Sequence, residues 1–524
     1  MSVTTVIKKN SYFDSVSLMS ISTKANQLDG VEQAFVAMAT EMNKGVLENL
    51  GLLSDELRAA STSDLMIVVV PAEGADGGAL VPQIEDLLVR KAPTGGAAEV
   101  SHRTIASAVE EDADINLAVI AVNGTFAARE ARKALDAGLN VMMFSDNVSV
   151  EDEIALKTQA HDAGLLMMGP DCGTAILNGV ALCFGNAVRP GTVGIVAASG
   201  TGSQEVSVQV HALGGGVSQL IGTGGRDLSA EAGGIMMIDG IRALAADPGT
   251  EVIVLVSKPP AAATEAKVLT EIANAGKPVV VYFIGGSQDA VVAAGGHFAA
   301  SSVDAARQAV ELSSAAASAP DTLDAAEVDA VVGRLGEGQM NVRGLFCGGT
   351  LCDESMYALL NDGQEVYSNI QKDPAFRIGA ADSSRGHSFL DFGDDEFTNG
   401  RPHPMIDPSN RLARIVEEAK DPSVAAIVMD FVLGFGAHED PAGVTLPAIR
   451  EAQRIAAEDG RHLEIIAYVL GTELDTPTLD AQRAALAEAG VTVTSSSTVT
   501  GELARAIARN SMARSTAAQK GAGA

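Results

Sequence analysis

A chain of repeated α/β units built on parallel sheets is predicted by three observations. First, continuous apolar runs of strand length recur at residues 64–70 (DLMIVVV), 116–122 (NLAVIAV) and 139–144 (LNVMMF). Runs without polar alternation mark strands buried on both faces, as in parallel sheets. Second, one strand–loop–helix unit is written twice, as GIVAASGTGSQE at 194–205 and GLFCGGTLCDE at 344–354. Third, two further blocks repeat behind it. DPGTEVIVLVSK from Asp247 matches DPSVAAIVMDFV from Asp421, and KPVVVYFIGG (277–286) matches LEIIAYVLGT (463–472), with Tyr282 and Tyr468 in equivalent places. Repetition that preserves order reads as a duplicated α/β domain.

Along the chain, residues 1–60 read as a small α+β unit: TTVIKK, a polar stretch to KANQLDG, then VEQAFVAMA. Residues 61–188 read as a doubly wound unit opened by the parallel strand DLMIVVV. Within it FAAREARKALDAG is amphipathic and ends in glycine, which suits a helix with a C-cap. The first copy of the repeat occupies 189–312 and the second 339–510. Between them 313–338, opening SSAAASAPDTLDAA, has small residues, a proline and no apolar period, so a linker is expected. The end from 511, SMARSTAAQKGAGA, is expected to be a disordered tail.

A length of 524 residues suits roughly three or four domains of about 150 each. Hydrophobic content of 47% is ample for buried cores, and aromatics at only 4% imply close packing of helix on sheet by small side chains. Acidic residues number 67 against 36 basic, a net charge of −31. Nucleic acid and anionic membrane are therefore not expected as partners, since both need clustered Lys and Arg. No apolar run reaches the roughly 18 residues of a membrane span. The polar, charged start MSVTTVIKKNSYFDSVSLM lacks a signal peptide's apolar core, so a cytoplasmic protein is expected. Cys172, Cys183, Cys347 and Cys352 form no CxxC pair or Cys/His cluster, and no metal site is expected.

The chemistry suggested by the repeat is anion binding. A glycine turn leading into a helix presents free backbone N–H groups, and the helix dipole favours negative charge there. Ser199, Gly200 and Thr201 form the first such turn, and Gly200 and Gly202 carry no side chains to block the amides. Thr201 with Gln204 also fits a capping box, T-x-x-Q. GTGGRDLS (222–229) carries Arg226, suited to bidentate recognition of carboxylate or phosphate, or else to pairing with Asp227 or a neighbour. The segment 386–407 holds His387, Asp391, Asp394, Asp395, Arg401 and His403, a polar density unusual in a plain connection. His438, just after the turn GFGAHED, reads either as a general acid or base or as a solvent-facing residue.

Residues 116–177, including GPDCG at 169–173, resemble the second half of the nucleotide-fold domain of a succinyl-CoA synthetase α subunit. The first repeat resembles that family's α-subunit ligase domain and the second its β-subunit ligase domain. Over nearly its whole length the chain is similar to FdrA-type, acyl-CoA synthetase-like proteins. The resemblance implies a Rossmann-like, CoA-binding-type domain at 61–188 followed by two flavodoxin-like ligase domains. It places a second phosphate donor at Gly434, Gly436 and Ala437, and substrate contacts at Asn123, Gly224, Gly225, Asp391 and Gly393. It also sets His297, in AAGGHFAAS, near the family's phosphorylated histidine, although the residue reads equally as a surface-loop histidine.

The departures from the family restrict the cofactors. Where a glycine-rich loop would hold CoA, PAEGADGGAL carries Glu73 and Asp76, whose charges would repel a pyrophosphate. The chain has no ATP-grasp module and no P-loop, so neither CoA nor ATP is expected as its own cofactor. The leading expectation is a carbamoyl or acyl transferase subunit using an acyl phosphate. The resemblance implies interconversion of oxamate plus carbamoyl phosphate with oxalurate plus phosphate, as in purine-derived ureide breakdown. The alternatives are an acid–thiol ligase acting through phosphohistidine with ATP and CoA handled with a partner subunit, and a non-catalytic anion-binding scaffold. Small anionic substrates, further protein subunits and a homo-oligomer are the expected partners.

Overall fold

The computed structural model describes residues 3–522 except 10, 12, 14, 27, 63, 73, 90–101, 314–318, 320, 337, 381, 399 and 400. Its contacts divide into one unit of residues 1–102 with 400–402, and a second of 103–399 with 403–524.

In the first unit, strands Thr4–Lys8, Leu65–Pro71 and Val31–Met38 form one antiparallel sheet with Leu65–Pro71 in the middle. This corrects two expectations: the run at 64–70 is antiparallel, and it belongs to the N-terminal unit, which extends well beyond residue 60. The reason is visible in its packing. Leu65, Ile67 and Val69 face a core with Leu18, Ala25 and Ile84, while Met66 and Val68 face Leu47 and Leu57. Helices cover both faces, so the strand is apolar throughout whatever the direction of its neighbours.

The second unit contains three sheets. Leu117–Ile120, Asn140–Met143 and Met167–Met168 form a parallel, Rossmann-like sheet. The first lobe has seven strands in the order His297–Phe298, Val279–Phe283, Val252–Ser257, Pro190–Ala198, Val217–Gly222, Thr174–Leu177 and Val180–Cys183. The first five are parallel, and the hairpin at 174–183 joins antiparallel. The second lobe is wholly parallel, ordered Val366–Ser368, His387–Asp391, Asn341–Phe346, Val424–Val432, Glu464–Leu470 and Thr492–Thr494. The three repeated blocks are adjacent strands in the same spatial order in both lobes, which is the topology of a duplicated domain.

The two motif helices, Gly200–Ala212 and Gly349–Leu360, follow the central strands and start at the carboxyl edges of their sheets. Loops at that edge are where open parallel sheets bind ligands. A helix at Ala325–Arg334 lies within the expected linker, and residues 314–318 of that linker lie outside the described residues. The tail expectation is also corrected: the last helix runs Ser497–Ala522 without a break at 511. Alanine, Arg, Gln and Lys are strong helix formers, and their propensity overrides the absence of an apolar face.

Candidate functional site

The two glycine turns meet. Ser199 is the N-cap of the first motif helix, and its Oγ accepts from Gly202 N at 3.0 Å. The cap is therefore Ser199 rather than Thr201, and Gln204, predicted to close a capping box, instead donates to the Phe184 carbonyl at 2.6 Å. The Ser199 hydroxyl also hydrogen-bonds to that of Thr350 at the start of the second motif helix. Glycine makes this approach feasible: a Cβ on Gly202 would lie 2.9 Å from Thr350 Cγ2, and one on Gly348 would lie 3.0 Å from Thr201 Cγ2.

The amides of the two turns differ in occupancy. In the second, Asp430 accepts from Cys347 N and Gly348 N at 2.7 Å each, and Arg411 pairs with the same carboxylate at 3.0 Å. Asp430 and Arg411 are both buried. The chain thus supplies its own anion to the strand end before that turn. The helix-start amides of Gly349 and Thr350, the counterparts of Gly200 and Thr201, also have no acceptor among the described residues. A Cβ on Gly349 would collide with Asp391 Oδ2, so a carboxylate already stands beside them. In the first, no group among the described residues accepts from the amides of Gly200 and Thr201. A Cβ built on Gly200 would meet only Thr174 Oγ1, at 3.9 Å. That hydroxyl is 1% exposed and has no hydrogen-bond partner. A buried, unpaired hydroxyl beside open helix N-terminal amides is the mark of a missing polar ligand.

Around this point stand charged groups from both lobes. Lys258 follows the strand Val252–Ser257, whose Ser257 pairs with Ala198, so Lys258 is level with Ser199. Its Nζ lies 3.7 Å from Asp391 Oδ2 and 3.9 Å from Asp353 Oδ2. Burial works against the Lys258 charge, but Asp391 and Asp353 overcome it and raise its pKa. Burial pushes the Asp391 carboxyl up to about 6, although Lys258 and the Gly393 amide, which donates to it at 2.9 Å, oppose the shift. Asp171 is driven up to about 7 by desolvation and then by Asp146 and Asp395. His403, which a Cβ on Gly393 would meet at 2.8 Å, is held down to about 4 by burial, as is His387. Both imidazoles are neutral at physiological pH.

Several predicted residues are not brought to this point. His297 is exposed on an edge strand and pairs with Val280, which is level with Ile195, four positions before Ser199. It therefore lies at mid-height of the sheet, short of the carboxyl edge, and Gly295, at φ +82°, serves the turn before it. Arg226 pairs with Glu153 at 2.9 Å and donates to the Val148 carbonyl, so it is a structural counter-ion and not an open anion receptor. Asn123 is the exposed N-cap of the helix Gly124–Asp136. Gly224, at φ +87°, would clash with the Pro170 carbonyl if it carried a Cβ, and Gly225 lies over Asp171.

Of the second donor at Gly434, Gly436 and Ala437, only the Ala437 amide is taken up within the turn; those of Gly434 and Gly436 have no acceptor among the described residues. The turn packs on the backbone of 183–185, Phe435 N donates to the Gly185 carbonyl, and Ala437 N donates back to Gly434. The helix behind it, Pro441–Glu458, is capped by Asp440 and by Gln482, which takes the Ala442 amide. His438 Nδ1 accepts from Asp440 N at 3.0 Å, which stiffens the turn and keeps that nitrogen from acting as a base.

Beneath the turns the lobes exchange a reciprocal pair of contacts. Glu205 accepts from the Tyr468 hydroxyl at 2.6 Å, and burial and then the nearby Glu354 charge raise the pKa of Tyr282. Ser497 Oγ bonds both carboxylates. Each glutamate stands five residues after the glycine of its Gly-Thr pair, Gly200 or Gly349, and the tyrosines are the equivalent pair of the sequence repeat. That spacing was the available signal. Lys258 and Asp430 lie in the repeated blocks 247–258 and 421–432 but at non-equivalent places, and Thr174 follows GPDCG, so none of the three carries a signal of its own.

Three families match parts of the chain: "CoA-ligase" over residues 345–507, "CoA binding domain" over 188–285, and "AllF, heavy metal-associated domain" over 1–104. With parallel sheets, duplicated ligase lobes and these matches, the chain belongs to the acyl-CoA synthetase-like family that includes the succinate–CoA ligase α subunits. It is 61% identical to "Uncharacterized protein YahF" of Escherichia coli (strain K12), over 96% of this chain and 98% of that one. It is 31% identical to succinate–CoA ligase [ADP-forming] subunit alpha 2 of Archaeoglobus fulgidus, over 37% of this chain and 68% of that subunit. The corresponding α subunit of Methanothermobacter thermautotrophicus is 29% identical over 34% of this chain and 60% of its own length.

Two of the family descriptions imply bound groups. Residues 1–104 contain no cysteine and only one histidine, His102, and Met38 and Met66 are buried in the core, so the donor set does not fit a heavy metal. The CoA-binding match, at 188–285, covers the turn at Ser199, Gly200 and Thr201 and not the turn at 71–80 where the resemblance places CoA. In that earlier turn Asp76 Oδ1 already accepts from Gly78 N at 3.0 Å. Glu73 lies outside the described residues. Among the described residues no helix is long and apolar enough to cross a membrane.

Proposed function

We propose that this chain is the acyl-phosphate-handling subunit of an acyl-CoA synthetase-like enzyme, with ATP and the thiol acceptor handled on partner subunits. The observation that carries the reading is the asymmetry of the two turns: the carboxylates of Asp430 and Asp391 stand at the second, while beside Gly200 and Thr201 the first has only the unpaired Thr174 hydroxyl. There the two amides and the hydroxyl would donate to phosphoryl oxygens, and the helix dipole would stabilise charge that develops as the acyl group departs. The displacement of His297 favours a route without phosphohistidine. Carbamoyl phosphate is the acyl phosphate that the FdrA-type resemblance implies, with oxamate as acceptor; the relatives' names speak instead for acid–thiol ligation.

Inorganic phosphate titrated into the purified chain tests the reading. Thr174→Val keeps shape and removes one donor, so affinity should fall about tenfold, since a hydrogen bond to a charged group is worth roughly 1.5–3 kcal/mol. Absence of phosphate binding by the natural chain would sink the proposal. Phosphate-dependent cleavage of oxalurate, by the chain alone and with candidate partner subunits, decides whether the acyl group is carbamoyl.

Sulfate affinity should rise as pH falls from 8 to 5.5. Asp171 and Asp391, at about 7 and about 6, take up protons in this window while Lys258 stays charged. Each neutralised carboxylate removes repulsion of about 0.5–2 kcal/mol at these separations. Sulfate keeps its own charge throughout, so a flat profile would contradict the assignment of these carboxyls to the anion's surroundings.

A further inference from the structure

We infer that Lys258 is the cation that binds the anionic group of the substrate, a role that rests on the phosphate reading above and adds a residue from outside either motif. Its ammonium sits between Asp391 and Asp353 at 3.7 and 3.9 Å, close enough for attraction and too far for a hydrogen bond. Its three donors therefore have charge compensation but no hydrogen-bond acceptor among the described residues. The side chain is 38% exposed, while the two carboxylates are 5% and 8% exposed behind it. An incoming anion meets the ammonium first.

Placement supports the same role. A Cβ on Gly349 would lie 2.6 Å from Lys258 Nζ, so glycine at this position lets a first-lobe lysine reach across the start of the second motif helix. The neighbouring Thr350 hydroxyl is hydrogen-bonded to Ser199, the cap of the open turn. Lys258 and the amides of Gly200 and Thr201 thus border one point from different strands. A lysine held only as a structural tie between lobes would close onto one carboxylate at about 2.8 Å.

The test uses the full-length chain and inorganic phosphate, with two readouts. By calorimetry, Lys258→Met should weaken phosphate at least tenfold, and Lys258→Arg should stay within about threefold of the natural chain. In the natural chain, saturating phosphate should slow reductive methylation of Lys258 about fivefold or more by mass spectrometry, leaving the exposed Lys420 unaffected; this readout needs no variant to fold. Unchanged phosphate affinity in Lys258→Met, or a Lys258 methylation rate indifferent to bound phosphate, overturns the inference. If Thr174→Val loses affinity while both Lys258 readouts stay flat, the phosphate site stands and the lysine's role falls. If the natural chain binds no phosphate, both fall.

Discussion

Replacing Asp430 with alanine should cost about 3–5 kcal/mol of stability and make the protein responsive to added sulfate. The size follows from what is left behind: Arg411, buried and deprived of its 3.0 Å partner, and two amides that had donated at 2.7 Å. Breaking a buried ion pair from one side is strongly destabilising because the remaining charge is unpaired. The amides of Cys347 and Gly348 would then be open, and a small anion could take the carboxylate's place. Thermal melts of Asp430→Ala should shift upward with sulfate by more than those of the natural chain. The double variant Arg411→Met/Asp430→Leu should be less destabilised than Asp430→Ala alone. A loss under about 1 kcal/mol, or equal sulfate responses, would contradict the view that Asp430 stands in for a bound anion.

Lys157→Met should be comparably damaging, by about 3–5 kcal/mol at pH 8. The Lys157 ammonium bonds Glu153 and Asp227 at 2.8 Å each and the Thr223 carbonyl at 2.9 Å, with all three charged side chains fully buried. Asp227 also caps the helix Ile235–Ala246 through the amides of Met236 and Met237. Without the lysine, two buried carboxylates lose their shared cation, and Arg226 reaches only Glu153. Denaturant titrations should show the full loss, and a loss under about 1 kcal/mol would mean that Lys157 contributes by packing alone. Arg226 has its place in the same network, as counter-ion to Glu153, and this is why an arginine in a glycine turn proves structural here.

Much of the fold is legible in the residues because it is written as continuous patterns. The apolar strands of both lobes, their shared order and the helices after each glycine turn all follow from local periodicity and repetition. Strand direction at 64–70 is not legible, since burial on both faces gives the same string in a parallel or an antiparallel sheet. The site divides the same way. Ser199, Gly200 and Thr201 are found from the turn alone, but the meeting of the two turns through Thr350 is not legible, since the resemblance places the second donor at Gly434, Gly436 and Ala437. Asp430, Lys258 and Thr174 come from strand ends and a hairpin distant in sequence, and only the folded sheets bring them together. Thr174 has no sequence signal because its distinction is the lack of a partner. His297 shows the converse: Gly295 before it answers the needs of the turn into an edge strand, short of the carboxyl edge.

The central claim is that one turn is open to an anion and its duplicate is closed by the protein itself. A crystal structure of the natural chain grown with phosphate and without sulfate tests it most directly. The expected result is a phosphate on the amides of Gly200 and Thr201, within hydrogen-bond distance of Thr174 Oγ1, with Asp430 still seated on Cys347 and Gly348. Phosphate on the second turn with Asp430 displaced, or an empty first turn at saturating phosphate, would contradict it.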